Sequence, residues 1–329
     1  MQKNYNILIT GAFGLIGKSV LNYFNSDERM KKLEEKLGKV TIFCLDLPTK
    51  NSKKSVRKFK KNNQIKIKYG DIRNKNLIEQ LVKDMDVIFH LAFQLPPIID
   101  ENEPIIRTIN VDGLINIINS INNLNQSTKI IYPSSIDMYG YVKKENQPII
   151  IGNPTNPTDH YGRHKEECVR LLKESNITHS VFVLTVVPPL HYLAQNPAMF
   201  DVEVDSNVEL VHEDDVAKAF YNALQTEKVW NKTLHIAGGE NCRLSYLEFI
   251  NKMMVASGIG TLSRDLFKGN KYHFAFMDTT ESQEILNYQD HSTEDIISDM
   301  KKNNKLTFSI IKLLKPIVRR FLINQSPYK

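Results

Sequence analysis

Cysteine is scarce in this sequence: Cys44, Cys168 and Cys242 stand far apart, with no C-x-x-C pair among 329 residues. That spacing argues against a disulfide framework and against a zinc site, and it suits a reducing cytosol. Each cysteine lies among apolar neighbours and reads as packing. No apolar run is long enough to span a bilayer. The N-terminus enters a short apolar run at Tyr5 with no leader-like core or cleavage site, so the expected location is cytoplasmic. Internal repeats and low-complexity tracts are also missing, which excludes solenoids and disordered linkers as the main organisation. What remains, at 41% hydrophobic and 24% charged residues, is enough to bury a large core in one domain or two joined lobes.

The net charge of +6 invites a nucleic-acid reading. The excess sits in Lys50 to Lys61 and in the C-terminal segment from Lys301. Lys53, Lys54, Arg57, Lys58, Lys60 and Lys61 fall in a polar connection, expected to be a solvated loop. Phe59 is the only aromatic residue among them, so no stacking platform is indicated and no nucleic-acid partner is expected.

Up to about Phe182, short β-branched runs alternate with amphipathic stretches. The runs begin at Tyr5, Val40, Ile65, Val87, Ile130 and Ser180; the helical stretches are 14–37, 74–83, 103–124 and 158–175. Apolar runs without polar alternation fit fully buried parallel strands. The alternation predicts an α/β fold, a doubly wound parallel sheet of Rossmann-like type, with ligands beyond the carboxyl ends of the strands. After Pro188-Pro189 the rhythm changes. The expected division is a cofactor domain over 1–187 and a smaller lobe over 188–329, mainly substrate-binding, with some segments returning to the first. A helix from Asp214 is expected to be capped by an acidic residue.

The first strand runs into Gly11-Ala12-Phe13-Gly14-Leu15-Ile16-Gly17. Strand, glycine turn and helix in that order make a phosphate-binding device, since the helix N-terminus offers free N–H groups and its positive dipole end. The spacing is G-x-x-G-x-x-G rather than the commoner G-x-G-x-x-G. Asp46, ending the second strand, is placed to accept both hydroxyls of an adenosine ribose and to repel a 2′-phosphate, which makes NAD the expected cofactor. Asp71 and Ile72 follow the third strand, where an adenine edge would lie. Leu91 and Ala92 end the fourth, where small and apolar residues border a cofactor. His90 reads as a core histidine. Tyr161 and Lys165, four apart on a helix, share one face. An ammonium beside the phenol would lower its pKa and let it exchange protons with a substrate hydroxyl or carbonyl, while a serine at the end of the Ser134-Ser135 strand holds the same oxygen.

Taken together, these residues resemble the short-chain dehydrogenase/reductase superfamily, in its extended branch of NAD-dependent epimerases and dehydratases. The motifs that carry the resemblance are Thr10 to Gly17, Asp46, Gly70-Asp71-Ile72, His90-Leu91-Ala92, Asn110 to Gly113, Ser134-Ser135 with Tyr139-Gly140, Tyr161 with Lys165, and His212 to Ala217. It implies that Tyr161 is the acid/base, that Lys165 lowers its pKa and binds the nicotinamide ribose, that Ser135 holds the reacting oxygen, and that Asn110 supports the site from mid-helix. It further implies a homodimer through a helix bundle that includes the Tyr161 helix, and a small-molecule substrate of nucleotide-sugar type. Two departures stand out. The run Phe182 to Pro189 carries no arginine, asparagine or tyrosine to anchor a sugar nucleotide's diphosphate, leaving Thr185 as its only polar group. Ser135 is followed by Ile136-Asp137, not by the acidic pair of a 4,6-dehydratase. A reductase or dehydrogenase of a smaller, more apolar substrate therefore stands as an alternative. So does an NAD-binding scaffold that docks through its C-terminus.

That C-terminus places Ile310, Ile311, Leu314, Ile317, Val318 and Phe321 on one helical face, with Lys312, Lys315, Arg319 and Arg320 mostly on the other. Pro316 argues against an unbroken helix. Such a stripe packs on its own domain or a partner subunit, or lies in a membrane interface; packing is the first expectation.

Overall fold

The computed structural model describes residues 4–96, 98, 102–190, 197–269 and 274–329. Its centre is a seven-stranded parallel sheet in the order β3-β2-β1-β4-β5-β6-β8. The strands are β1 (Asn4–Thr10), β2 (Lys39–Asp46), β3 (Ile65–Tyr69), β4 (Val87–His90), β5 (Lys129–Ser135), β6 (His179–Leu184) and β8 (Lys232–Ile236). A separate antiparallel pair joins β7 (Asn207–Glu209) to β9 (Arg243–Ser245). The sheet's last strand thus comes from beyond residue 188.

Ile7, Leu8 and Ile9 in β1 are wholly buried, as a strand covered by helices on both faces requires. Each such side chain contributes roughly 1.5–3 kcal/mol on leaving water. β1 pairs with β2 on one side and β4 on the other, Ile9 lying opposite Cys44 and Phe89. Chain progression across the sheet reverses between β1 and β4, and a cleft opens there beyond the strand ends. The three cysteines are unpaired and buried, as expected of packing residues.

Four local expectations need correcting. The first helical stretch is two helices, α1 (Leu15–Phe24) and α2 (Asp27–Leu37), because Ser26 turns extended and starts a new helix with Asp27 and Glu28 in its first turn. The lysine-rich connection is not a plain loop. It forms α3 (Lys50–Val56), capped by Thr49 accepting from the Ser52 N–H, and its Ser52, Val56 and Phe59 are buried while the lysines face water. Beyond α4 (Lys75–Val82), the helix around Asn110 is broken at Val111 into α5 (Glu103–Asn110) and α6 (Asp112–Asn123). Asn110 therefore ends a helix, freeing its side chain for the neighbouring loop. After α7 (His160–Glu174), α8 (Glu213–Ala223) is capped by His212, whose Nδ1 accepts the Asp214 N–H at 3.0 Å, not by an acid.

The C-terminal part adds α9 (Tyr246–Ala256), α10 (Thr280–Leu286), α11 (Thr293–Asn303), α12 (Lys305–Leu313) and α13 (Lys315–Asn324). Its core gathers Phe200, Val208, Tyr246, Phe249, Ile296 and Leu322. The chain breaks at Leu314, with Pro316 in the first turn of α13, where a missing N–H costs nothing.

Candidate active site

The glycine turn is fixed by close approach. Gly11 has φ +65°, and a Cβ there would lie 2.7 Å from Ala92 Cα, so only glycine fits. A Cβ on Gly17 would run into the Gly11 carbonyl, so α1 packs directly on the turn. Gly11 N–H donates to Leu45 O at 2.9 Å, pinning the turn to β2. Gly14 caps α1 without a side-chain bond, which leaves first-turn N–H groups open to an anion.

Two hollows meet at this turn. One of about 240 Å³ is lined by Phe13, Asp46, Asp71, Ile72 and Ala92. The other, about 320 Å³, is lined by Leu15, Ile16, Gly17, Ser135, Tyr161 and Lys165. Gly11, Gly14, Leu91 and Phe93 line both, making one elongated cleft. Every expected site residue but one borders it. The exception is Asn110, which is buried and accepts the Gln94 N–H at 2.7 Å while donating to Gln94 O at 3.1 Å. It positions the loop after β4. A roomier hollow of about 760 Å³, beside Tyr139, Asn153 and Arg170, holds none of these residues.

At the first end the charges are already compensated. Asp46 accepts the N–H groups of Phe13 and Leu47, both at 2.7 Å. The Arg73 guanidinium beside Asp71 holds that carboxyl below its usual range.

The second end is assembled by helix α7. Asp159 caps it by accepting the Gly162 N–H at 2.7 Å. A Cβ on Gly162 would come within 2.7 Å of Asp137 O, so the bare glycine lets the helix start sit on the turn after β5 and carry Tyr161 to Ser135. Ser135 Oγ donates to Asp137 Oδ2 at 2.6 Å. Lys165 Nζ donates to Pro133 O at 2.7 Å and lies 3.7 Å from the centre of the Phe93 ring. With no carboxylate among the described residues bonded to it, Lys165 is pulled down to about 7 by burial. Tyr161 departs from expectation. Burial, and then the negative charge of Asp137, push its phenol up rather than down. Lys165 Nζ lies 5.8 Å from the Tyr161 ring centre, too far and too uncharged to outweigh them.

Asp137 is a member that sequence reasoning did not place here. Asp137 is two residues past Ser135 in a tight 3-10 turn, and that short spacing was its only signal. Burial raises its carboxyl pKa. Thr185 borders the cleft, but its hydroxyl is taken by Glu209 O at 2.7 Å. His90 is buried on Thr10, its Nδ1 2.8 Å from Oγ1, and burial holds it near 3, neutral, as a core histidine should be. Elsewhere His212, Asp214 and His291 bring metal-capable atoms within 4.8 Å of one another. His212 Nδ1 is consumed by the helix cap, so in the neutral ring Nε2 carries the proton and no lone pair is left for a metal.

A preformed glycine cradle continuous with a serine, a tyrosine and a lysine defines a dinucleotide-binding protein of the short-chain dehydrogenase/reductase class. More narrowly, the chain belongs to the NAD dependent epimerase/dehydratase family, whose model matches residues 7–207. The UDP-glucuronic acid 4-epimerase of Bacillus cereus, solved with UDP-glucuronic acid and NAD, superposes with a TM-score of 0.72 at 19% identity, over 91% of this chain and 99% of that one. A UDP-glucose 4-epimerase of Rickettsia bellii is 35% identical over 86 residues, 26% of this chain and 23% of its own. The N-acetyl-alpha-D-glucosaminyl-diphospho-ditrans,octacis-undecaprenol 4-epimerase of Escherichia coli O157:H7 is 25% identical over 189 residues, 56% of this chain and 48% of its own. The chain therefore matches 23% to 48% of the length of these curated relatives.

Proposed function

We propose that this protein is an NAD-dependent epimerase or dehydratase acting on a sugar carried by a diphosphate, in the first instance a nucleotide-sugar. One observation carries the reading: Ser135, Tyr161 and Lys165 converge on a single hollow continuous with the glycine cradle. The open amides at the start of α1 would hold the pyrophosphate, Asp46 the adenosine ribose, and Lys165 the second ribose. NAD, when bound, takes the hydride from a carbinol carbon and supplies it again to the resulting carbonyl carbon.

The protein's own groups manage the proton. Tyr161, neutral at rest, is set to donate to a carbonyl oxygen, and as phenolate it takes the proton of the substrate hydroxyl. Ser135, which donates to Asp137 at rest, holds the same oxygen by turning its proton onto it. The Phe93 ring lies edge-on to Tyr161, 5.6 Å between centroids, and gives that side of the phenol an apolar wall. The chain beyond residue 188 is proposed to hold most of the substrate. The protein is proposed to work in the cytoplasm as a homodimer through a bundle that includes α7.

The test is mass spectrometry of nucleotide released from freshly purified, denatured protein, together with turnover of UDP-glucose and UDP-N-acetylglucosamine. Stoichiometric NAD and interconversion of a UDP-hexose without added cofactor are expected. Failure to bind either NAD or NADP would overturn the reading. A second substrate reading has its own support. Thr185, the one polar side chain of the run 182–189, is tied to Glu209, so that run offers no anchor for a nucleotide's diphosphate. A polyprenyl-diphosphate sugar, as in the name of the Escherichia coli relative, fits that lack. Turnover of a polyprenyl-diphosphate N-acetylhexosamine but not of UDP-hexoses would establish it.

A further inference from the structure

The last two helices expose two kinds of side chain together. Toward the protein, Phe308 is buried, Ile311, Val318 and Leu322 pack on the C-terminal core, and Arg319 donates to Gly260 O at 3.3 Å. This explains only half of the apolar stripe. On the outward side Leu306 is 84% exposed, Leu313 81%, Ile317 68% and Phe321 60%, with Ile310 and Leu314 also exposed. The stripe read from sequence as one face is thus two. Ile311 and Val318 face the core, whereas Ile310, Leu314, Ile317 and Phe321 face outward. Exposed apolar side chains scattered singly need no explanation, but six within sixteen residues do.

The charge of the same segment points to what covers it. No Asp or Glu follows Asp299, while Lys301, Lys302, Lys305, Lys312, Lys315, Arg319, Arg320 and Lys329 do. Removing these eight from the 43 Lys and Arg leaves 35 against 37 Asp and Glu, so the first 299 residues carry −2 and the last thirty +8. A second copy of this face would set positive charge against positive charge, with no carboxylate in the segment to relieve it, and a two-fold interface must be self-complementary. An anionic lipid surface supplies the missing charge and a place for the apolar groups.

We propose that α12 and α13 form a membrane-docking surface. They lie in the headgroup region of an anionic bilayer, with Leu306, Leu313, Ile317 and Phe321 inserted and Lys305, Lys312, Lys315 and Arg320 among the phosphates. The kink at Leu314 and Pro316 brings Leu313 and Ile317 to the junction of the two helices. No helix among the described residues is long and apolar enough to cross a membrane, so the contact is peripheral. The inference does not depend on the identity of the substrate.

The test is co-sedimentation of the full chain with vesicles of phosphatidylethanolamine containing one quarter phosphatidylglycerol, against vesicles of phosphatidylcholine. Binding to the first and not the second, weakening as salt shortens the screening length, is expected. The combined change Leu313→Ser, Ile317→Ser and Phe321→Ser should lower partitioning at least about tenfold. Changing Lys312, Lys315 and Arg320 together to Gln should lower it about a hundredfold on the anionic vesicles. All six side chains are on the outside, so the melting temperature should stay unchanged. Tyr161→Phe should bind vesicles like the parent chain, which separates this proposal from the catalytic one. Absence of binding to the anionic vesicles would overturn it. So would vesicle binding indifferent to the serine changes, in a protein that those changes convert from dimer to monomer.

Discussion

The two ends of the cleft differ in how their charges are settled. At the Asp46 end, carboxylates meet partners within the protein: backbone N–H groups for Asp46 and a guanidinium for Asp71. At the Tyr161 end, Lys165 is buried, Tyr161 and Asp137 are half-buried, and all three are displaced toward their neutral forms. A surface whose charges are compensated is ready to bind and has little left to gain. A pocket whose ionisable groups sit uncompensated costs stability, and its protonation states move readily when charge arrives. On the proposed reading the first end recognises the cofactor and the second carries the chemistry.

The comparison is broken most sharply by Tyr161→Phe. Turnover should fall by about 10²–10⁴ through loss of proton transfer, while bound NAD in the purified protein stays the same. Equal loss of both would merge the two ends into one binding site.

Lys165→Met tests the stability side. The folded value near 7 lies below the unfolded value of about 10.4, so between them the unfolded chain holds a proton that the folded one lacks. Parent stability should therefore rise with pH across that window, and its cost is complete below about 7. The variant should be inactive yet more stable at pH 7, on the order of 4 kcal/mol at most, with the gap closing toward pH 10. Denaturant titration at several pH values reads this directly. A variant less stable than the parent at pH 7 would show that the Pro133 bond outweighs the buried amine.

At the other end Gly11→Ala must force a Cβ into the Ala92 backbone at positive φ. Loss of NAD and about 1–3 kcal/mol of stability are expected by chemical denaturation, with no change in pH dependence. The smallest effect belongs to Asp137→Asn. An amide oxygen can still accept from Ser135, but the negative charge that raises Tyr161 is gone. The alkaline-rising limb of the pH–rate profile should move to lower pH; an unmoved limb would deny Asp137 its electrostatic role.

Much of this was legible in the chain. The glycine turn, Asp46 and the Tyr161–Lys165 pair are local patterns. Strand, turn and helix periodicity fix their geometry, because each needs only neighbours within a few residues. Asp137 was not legible as a partner of Tyr161, since its influence depends on α7 sitting on the turn after β5. Nor was the state of the phenol. A lysine four residues away suggests an ammonium, but only its burial beside Phe93 and Tyr132 shows why that charge is suppressed.

The sequence by itself determined the parallel sheet, the dinucleotide cradle and the groups proposed to handle protons. Periodicity, glycine spacing and side-chain chemistry are properties of short stretches. The tertiary structure alone decided which of those groups are charged and which apolar residues of the last two helices face water. Desolvation and exposure depend on residues brought together from distant parts of the chain.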